Sequence, residues 1–80
     1  MGLIAQLLER RSPVLHIVSP HQTVAEAVAV MASRKIGAVP VVEDGRLVGI
    51  FSERDVVRRV VWVNRSPEKT EIGEVMTLSD

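Results

Sequence analysis

The chain has 80 residues, 46% hydrophobic and 25% charged, with a formal net charge of zero and no cysteine. A chain of this length makes one small domain at most and buries only about 60% of its unfolded surface, so association with another chain is the expected stabiliser. Disulfides and thiolate metal sites are excluded, and His16 and His21 are too few for a structural metal site. Neutrality, with Phe51 and Trp62 the only aromatics, argues against nucleic acid or an anionic membrane as partner.

Residues 3–9 are expected to form a short helix with Leu3, Ile4, Leu7 and Leu8 on one face, ended before Pro13, which disfavours helix at Ser12. The same segment lacks a basic leader and is interrupted by Gln6, so no signal peptide is expected and the cytoplasm is the default compartment. No apolar run is long enough to span a bilayer. Val14 to Val18 reads as a short strand closed by Ser19-Pro20. Thr23 is a good N-cap, and Glu26 three residues on completes a capping box. Val24, Ala27, Val28 and Met31 then fall on one helical face, while alanines at 25, 29 and 32 widen it. Arg34 and Lys35 suit the last turn, and Gly37 lies just beyond as a candidate C-cap.

Ala38 to Val42 is a nearly all-apolar strand whose Pro40 needs an edge, a strand start or a bulge. Asp44-Gly45 signals a tight hairpin turn, and Leu47 to Phe51 is the returning strand. Ser52 caps a second helix expected to run to about Asn64; its valines are mediocre helix formers, but the cap and the interleaved arginines favour helix over a buried strand. A polar linker follows, and Ile72 to Met76 matches Ile4 to Leu8 in character, as the opening of a second copy of the unit would. The expected order is β-α-β-β-α, an α+β unit with a small three-stranded sheet and two helices on one face.

Ser52, at a helix start, places a hydroxyl beside backbone N–H groups at the positive end of the helix dipole, which suits a phosphate. The plain alternative is a Ser-x-x-Asp capping pair with Asp55 and nothing more. Arg54 and Arg58, four apart, share a face and can meet a phosphate or simply be solvated. No Cys nucleophile, metal-ligand cluster, Gly-rich dinucleotide loop or recognisable Ser/His/Asp set is present, so an enzyme is not expected.

The ordered set of Val18-Ser19-Pro20, the Thr23-capped helix, Ile36-Gly37-Ala38-Val39-Pro40-Val41-Val42, the hairpin and Gly49-Ile50-Phe51-Ser52-Glu53-Arg54-Asp55 resembles the CBS domain family over residues 12–64. The last segment fits that family's Gly-apolar-x-Ser/Thr-x-x-Asp motif, and Val75-Met76-Thr77 resembles the phrase that opens a next repeat. Ser52 to Asp55 followed by Arg58-Arg59 is also similar to small bacterial proteins made of little except two CBS repeats.

The resemblance implies a helical lead-in at 1–11, one CBS repeat at 12–64, and at 65–80 a linker with the truncated start of a second repeat. It implies a regulatory module that binds an adenosine nucleotide (AMP, ADP, ATP or NAD) or S-adenosylmethionine in a cleft between paired repeats, with no other cofactor required. Because one complete repeat is present, pairing implies a homodimer or a second repeat in a longer parent chain. The resemblance gives Asp55 the ribose hydroxyls and Ser52 the phosphate. It gives Ile36, Gly37 and Ala38 the base, with Ile50, Val14 and His16 lining base and sugar. His16 is as readily a strand residue, and His21 reads as a solvated loop residue. The rival expectation is a structural dimerisation or interaction module whose cleft takes no ligand. Valines and alanines on several helix faces predict a homodimer with the helices of two repeats packed together.

Overall fold

Helix α1 (Val24–Arg34) forms as its sequence predicts. The computed structural model describes residues 16–79, so the helix expected at 3–9 and the site residue Val14 lie outside the described residues. The Thr23 hydroxyl accepts from the Glu26 amide at 3.2 Å, and the Glu26 carboxylate accepts from the Thr23 amide at 2.9 Å. Val24, Ala27 and Met31 are buried, but Val28, expected beside them, is exposed. The helix is closed by Lys35 in the left-handed region at φ 57°, not by Gly37. The Lys35 amide turns back to the carbonyls of Met31 and Ala32.

Strands β1 (Ala38–Glu43) and β2 (Arg46–Ser52) pair antiparallel, from Ala38 opposite Ser52 to Glu43 opposite Arg46, with a bulge at Val41/Val42. Asp44 and Gly45 have φ of 52° and 76°. Positive φ at both central residues is what the right-handed strand twist requires of a tight hairpin, and Asp-Gly adopts it at least cost. Pro40 fits because its carbonyl side faces away from β2, where among the described residues only Val18 approaches. Val18 donates to the Pro40 carbonyl at 3.0 Å and accepts from the Val42 amide at 2.8 Å. The strand expected at Val14 to Val18 is therefore, among the described residues, a single parallel bridge at Val18.

Helix α2 (Glu53–Val56) passes directly into a π-helical turn (Val57–Val61). Its wide register is carried by Trp62 N–H to the Val57 carbonyl and Arg65 N–H to the Val60 carbonyl, both at 2.8 Å. The helical segment ends at Val61, short of the expected end near Asn64, and a turn leads on to Asn64 at φ 61°. Crowded β-branched residues are weak formers of a regular α ladder. The widened turn buries Val60 while leaving Val57 and Val61 outside.

The tail is part of this fold. A short helix α3 (Ile72–Val75) buries Ile72 and Val75 in the core, and β3 (Thr77–Leu78) extends the sheet in the order β1-β2-β3. Thr77 lies opposite Ile50, and Leu78 opposite Gly49. The linker ahead of it covers the start of α1. Val24 N–H donates to the Thr70 carbonyl at 2.9 Å, Ala25 N–H to the Pro67 carbonyl at 3.0 Å, and Ile72 N–H to the Gln22 carbonyl at 2.9 Å. These carbonyls satisfy helix amides that have no partner within the helix itself.

The core joins Val39, Val41 and Phe51 from the inner face of the sheet to Val24, Ala27, Met31, Val60, Ile72 and Val75 from the helical segments. Burying Phe51 completely stabilises the fold by roughly 1.5–3 kcal/mol. The helices therefore lie on one face of a three-stranded sheet, as expected, with its third strand supplied by the tail. No helix among the described residues is long and apolar enough to cross a membrane.

Candidate functional site

Strand alternation puts Phe51 in the core and turns Ile50 and Ser52 to the open face of the sheet. Ser52 is the last residue of β2 and the N-cap of α2, so its hydroxyl sits where the chain changes from extended to helical. Across the hairpin it lies opposite Ala38, and the next amide, that of Glu53, donates to the Gly37 carbonyl at 2.9 Å. The segment nominated for a base and the segment nominated for ribose and phosphate are thus joined by backbone pairing. Gly37 also passes close to Glu53: a Cβ there would lie 3.0 Å from the Glu53 carboxylate.

Asp55 is the centre of this junction, only 5% exposed, with Thr70 the other buried polar residue among the described residues. Its Oδ2 accepts from the Ser52 amide at 3.0 Å and from the Ser52 hydroxyl at 3.1 Å. The Asp55 amide in turn donates to Ser52 Oγ at 3.3 Å. The other oxygen, Oδ1, accepts from the Thr77 hydroxyl at 3.1 Å and has Arg59 Nε at 3.7 Å. Arg59 also donates through Nη1 to the Met76 carbonyl at 3.0 Å, tying the π turn to the tail. Burial of a carboxylate is tolerated here because both oxygens are engaged and a guanidinium balances the charge.

Two of these residues, Thr77 and Arg59, lie in the family-like phrases Val75-Met76-Thr77 and Arg58-Arg59, but the sequence gives neither a site role. Arg59 is legible afterwards, since Asp55 and Arg59 are spaced i and i+4, which places them on one helix face. Thr77 is separated from Asp55 by 22 residues, and no local pattern reveals such a contact. The expectation of free helix amides for a phosphate is corrected in part. The Glu53 amide is taken by Gly37 and the Asp55 amide by Ser52, because a short polar cap and the hairpin both reach the first turn.

Arg54 and Arg58 are exposed and form no ion pair among the described residues, so they remain available to an anion. Ile36 is half-buried against the core, and Ile50 lies on the open sheet face between Pro40 and Thr77. His16 is half-buried, its Nε2 enclosed and without a hydrogen-bond partner among the described residues, two residues before the Val18 bridge. His21, read as solvated, is exposed but not idle: its Nε2 lies 2.6 Å from Glu43, and its Nδ1 lies 3.6 Å from Glu71. The hydrogen bond to Glu43 raises its pKa above the usual 6.5, with the Glu43 charge and then Glu71 adding to the effect. Glu74 is held below the ordinary carboxylate range by the Glu71 amide and then by Arg65.

An apolar groove of about 220 Å³ runs between α1 and α2, lined by Val28, Met31, Ala32, Glu53, Val56 and Val57. It is smaller than the roughly 300–1,000 Å³ of typical ligand sites. It also lies on the helical side of the sheet, away from the face that carries Ile50 and Ser52.

Residues 5–61 match the family model described as "CBS domain". The CBS domain-containing protein YhcV of Bacillus subtilis is 42% identical over 60 residues, which are 75% of this chain and 42% of that protein. Among solved structures, a protein with CBS domains from Burkholderia ambifaria, named for signal transduction, superposes with a TM-score of 0.79 at 34% identity; the match covers 95% of this chain and 58% of that one. A hexameric CBS-CP12 protein from bloom-forming cyanobacteria superposes with a TM-score of 0.73 at 26% identity, over 80% of this chain and 39% of that one. The chain spans less than half the length of the curated relatives it matches.

Proposed function

The chain belongs to the CBS domain family, whose proteins are generally regulatory or signal-transduction modules, and we propose that it is half of a binding site for an adenosine nucleotide or S-adenosylmethionine. It takes its ligand in a cleft between two paired repeats and carries out no catalysis. The observation that carries this reading is the joining of Ile36–Ala38 to Ser52–Asp55 through the Gly37 to Glu53 hydrogen bond and the Ala38/Ser52 pair. It sets a buried carboxylate beside backbone able to read a base edge. Asp55 takes the vicinal ribose hydroxyls, and Ser52 with the exposed arginines Arg54 and Arg58 takes phosphate. The cytoplasm is the proposed compartment.

Pairing is required because one repeat supplies one wall. The groove between α1 and α2, continued by Val57 at 60% and Val61 at 65% exposure, supports helix-to-helix packing of a second repeat, from another copy or from a longer parent chain. A second reading, an interaction module with no ligand, is favoured by one observation: the Asp55 carboxylate is fully engaged within the chain.

A thermal-shift screen with AMP, ATP, NAD and S-adenosylmethionine at millimolar concentration separates the two. A rise in melting temperature with one of them is expected, and no rise with any leaves the interaction module standing. Light scattering at micromolar concentration should give a mass above the single 8.8 kDa chain.

A further inference from the structure

Gly49 to Asp55, the stretch whose motif points to a nucleotide, is at both of its ends a seat for the chain's own tail. At one end, a Cβ on Gly49 would lie 2.6 Å from the Thr77 carbonyl oxygen and 2.9 Å from the Met76 sulfur, so only glycine lets the tail approach. In the middle, Ile50 pairs with Thr77. At the other end the Thr77 hydroxyl donates to Asp55 Oδ1, and Arg59 holds the Met76 carbonyl while facing the same oxygen. The remaining oxygen is committed to the Ser52 cap. A carboxylate 5% exposed, with both oxygens engaged, has no room for a ribose diol until the Thr77 side is vacated.

From this geometry we infer that residues 76–79 are an internal competitor for Asp55, so that ligand binding and tail docking exclude one another. The inference rests on the nucleotide reading above and adds its regulation: occupancy of the site is reported as release of the tail strand β3 from β2. Because the two events share one carboxylate oxygen, their coupling is reciprocal. Whatever pulls the tail away strengthens binding, and whatever binds loosens the tail. A partner or a following segment attached to the tail thereby senses the ligand without touching it.

The latch has its own reporter. The Ser79 amide donates to the Val48 carbonyl at 3.1 Å and is protected only while the tail is docked. Two variants open the latch by different routes: Thr77→Val removes the hydroxyl and keeps the shape, while Gly49→Ala pushes the tail backbone and leaves Asp55, Ser52 and Thr77 intact. Hydrogen exchange at Ser79 and calorimetric binding of AMP, ATP, NAD and S-adenosylmethionine, each in turn, are measured on the wild type and both variants. Both variants should exchange faster at Ser79 without ligand. Thr77→Val should bind the effective ligand about tenfold more tightly, the scale set by losing one hydrogen bond to a charged group. The ligand should also speed Ser79 exchange in the wild type. Binding to the wild type with Ser79 protection unchanged or raised overturns the latch and leaves the site. Weaker binding by Thr77→Val makes Thr77 a ligand contact and overturns the competition. No binding by any of the three proteins overturns the nucleotide reading itself, and the coupling with it.

Discussion

Two helices of this protein start with the same device, and they differ in what surrounds it. At Thr23/Glu26 and at Ser52/Asp55 a hydroxyl accepts from the fourth residue's amide, and that residue's carboxylate accepts from the cap amide. Glu26 is exposed, and its capping bonds are local. Asp55 is buried, and its second oxygen reaches across 22 residues to Thr77 and across one helical turn to Arg59. Capping alone explains the first site completely. At the second it accounts for one carboxylate oxygen and leaves the other as the feature that needs a purpose.

The comparison is broken most directly by removing each carboxylate. Asp55→Ala should lower unfolding free energy by roughly 2–4 kcal/mol, since it removes a cap and strands the Thr77 hydroxyl and Arg59 together. Glu26→Ala should cost well under about 1 kcal/mol, because water replaces its bond. Urea unfolding measures both, and equal losses would mean that burial at Asp55 adds nothing. Next in size, Thr23→Ala should cost about 1 kcal/mol as an ordinary cap loss, with ligand affinity unchanged. A binding change in that variant would show the two helix starts to be coupled.

The smallest effect concerns the loop ahead of Thr23. The pKa of His21 is raised by Glu43 and Glu71, so its stabilising contribution is complete below its usual 6.5 and is lost as pH rises through the raised value. The wild type should therefore lose a little urea resistance between pH 5.5 and 8.5 that His21→Gln does not lose. Because the ring is exposed, the difference is small, and identical pH dependence in the two proteins would remove His21 from the account.

Legibility followed the range of the interactions. The N-caps at Thr23 and Ser52, the Asp44-Gly45 turn and most of the buried face of α1 are local patterns, and each appears where the sequence placed it. Val28 is an exception, because a helical face can carry an apolar residue toward a groove as well as toward a core. The helix end at Arg34 was legible but not its closing residue: Lys35 took the left-handed conformation one position after the helix stopped, before Gly37 was reached. The π turn was hidden because a valine-rich helix with a wider register has almost the same spacing as a regular one. The part of the site that escaped was the part made by distant chain. Ser52 and Asp55 were readable as a pair, Arg59 by its spacing, and Thr77 by nothing short of the fold. The tail's likeness to the start of a second unit was visible in sequence; its place in this unit's own core and sheet was not.

Titrating the effective ligand from the adenosine nucleotides and S-adenosylmethionine into the wild type, Asp55→Asn and Glu26→Gln in parallel is the most direct test of whether Asp55 is more than a cap. The account predicts that Glu26→Gln binds as the wild type does and that Asp55→Asn, still folded by its melting transition, binds about 10- to 150-fold more weakly. Equal binding by all three proteins, or loss of equal size in the two variants, would contradict it.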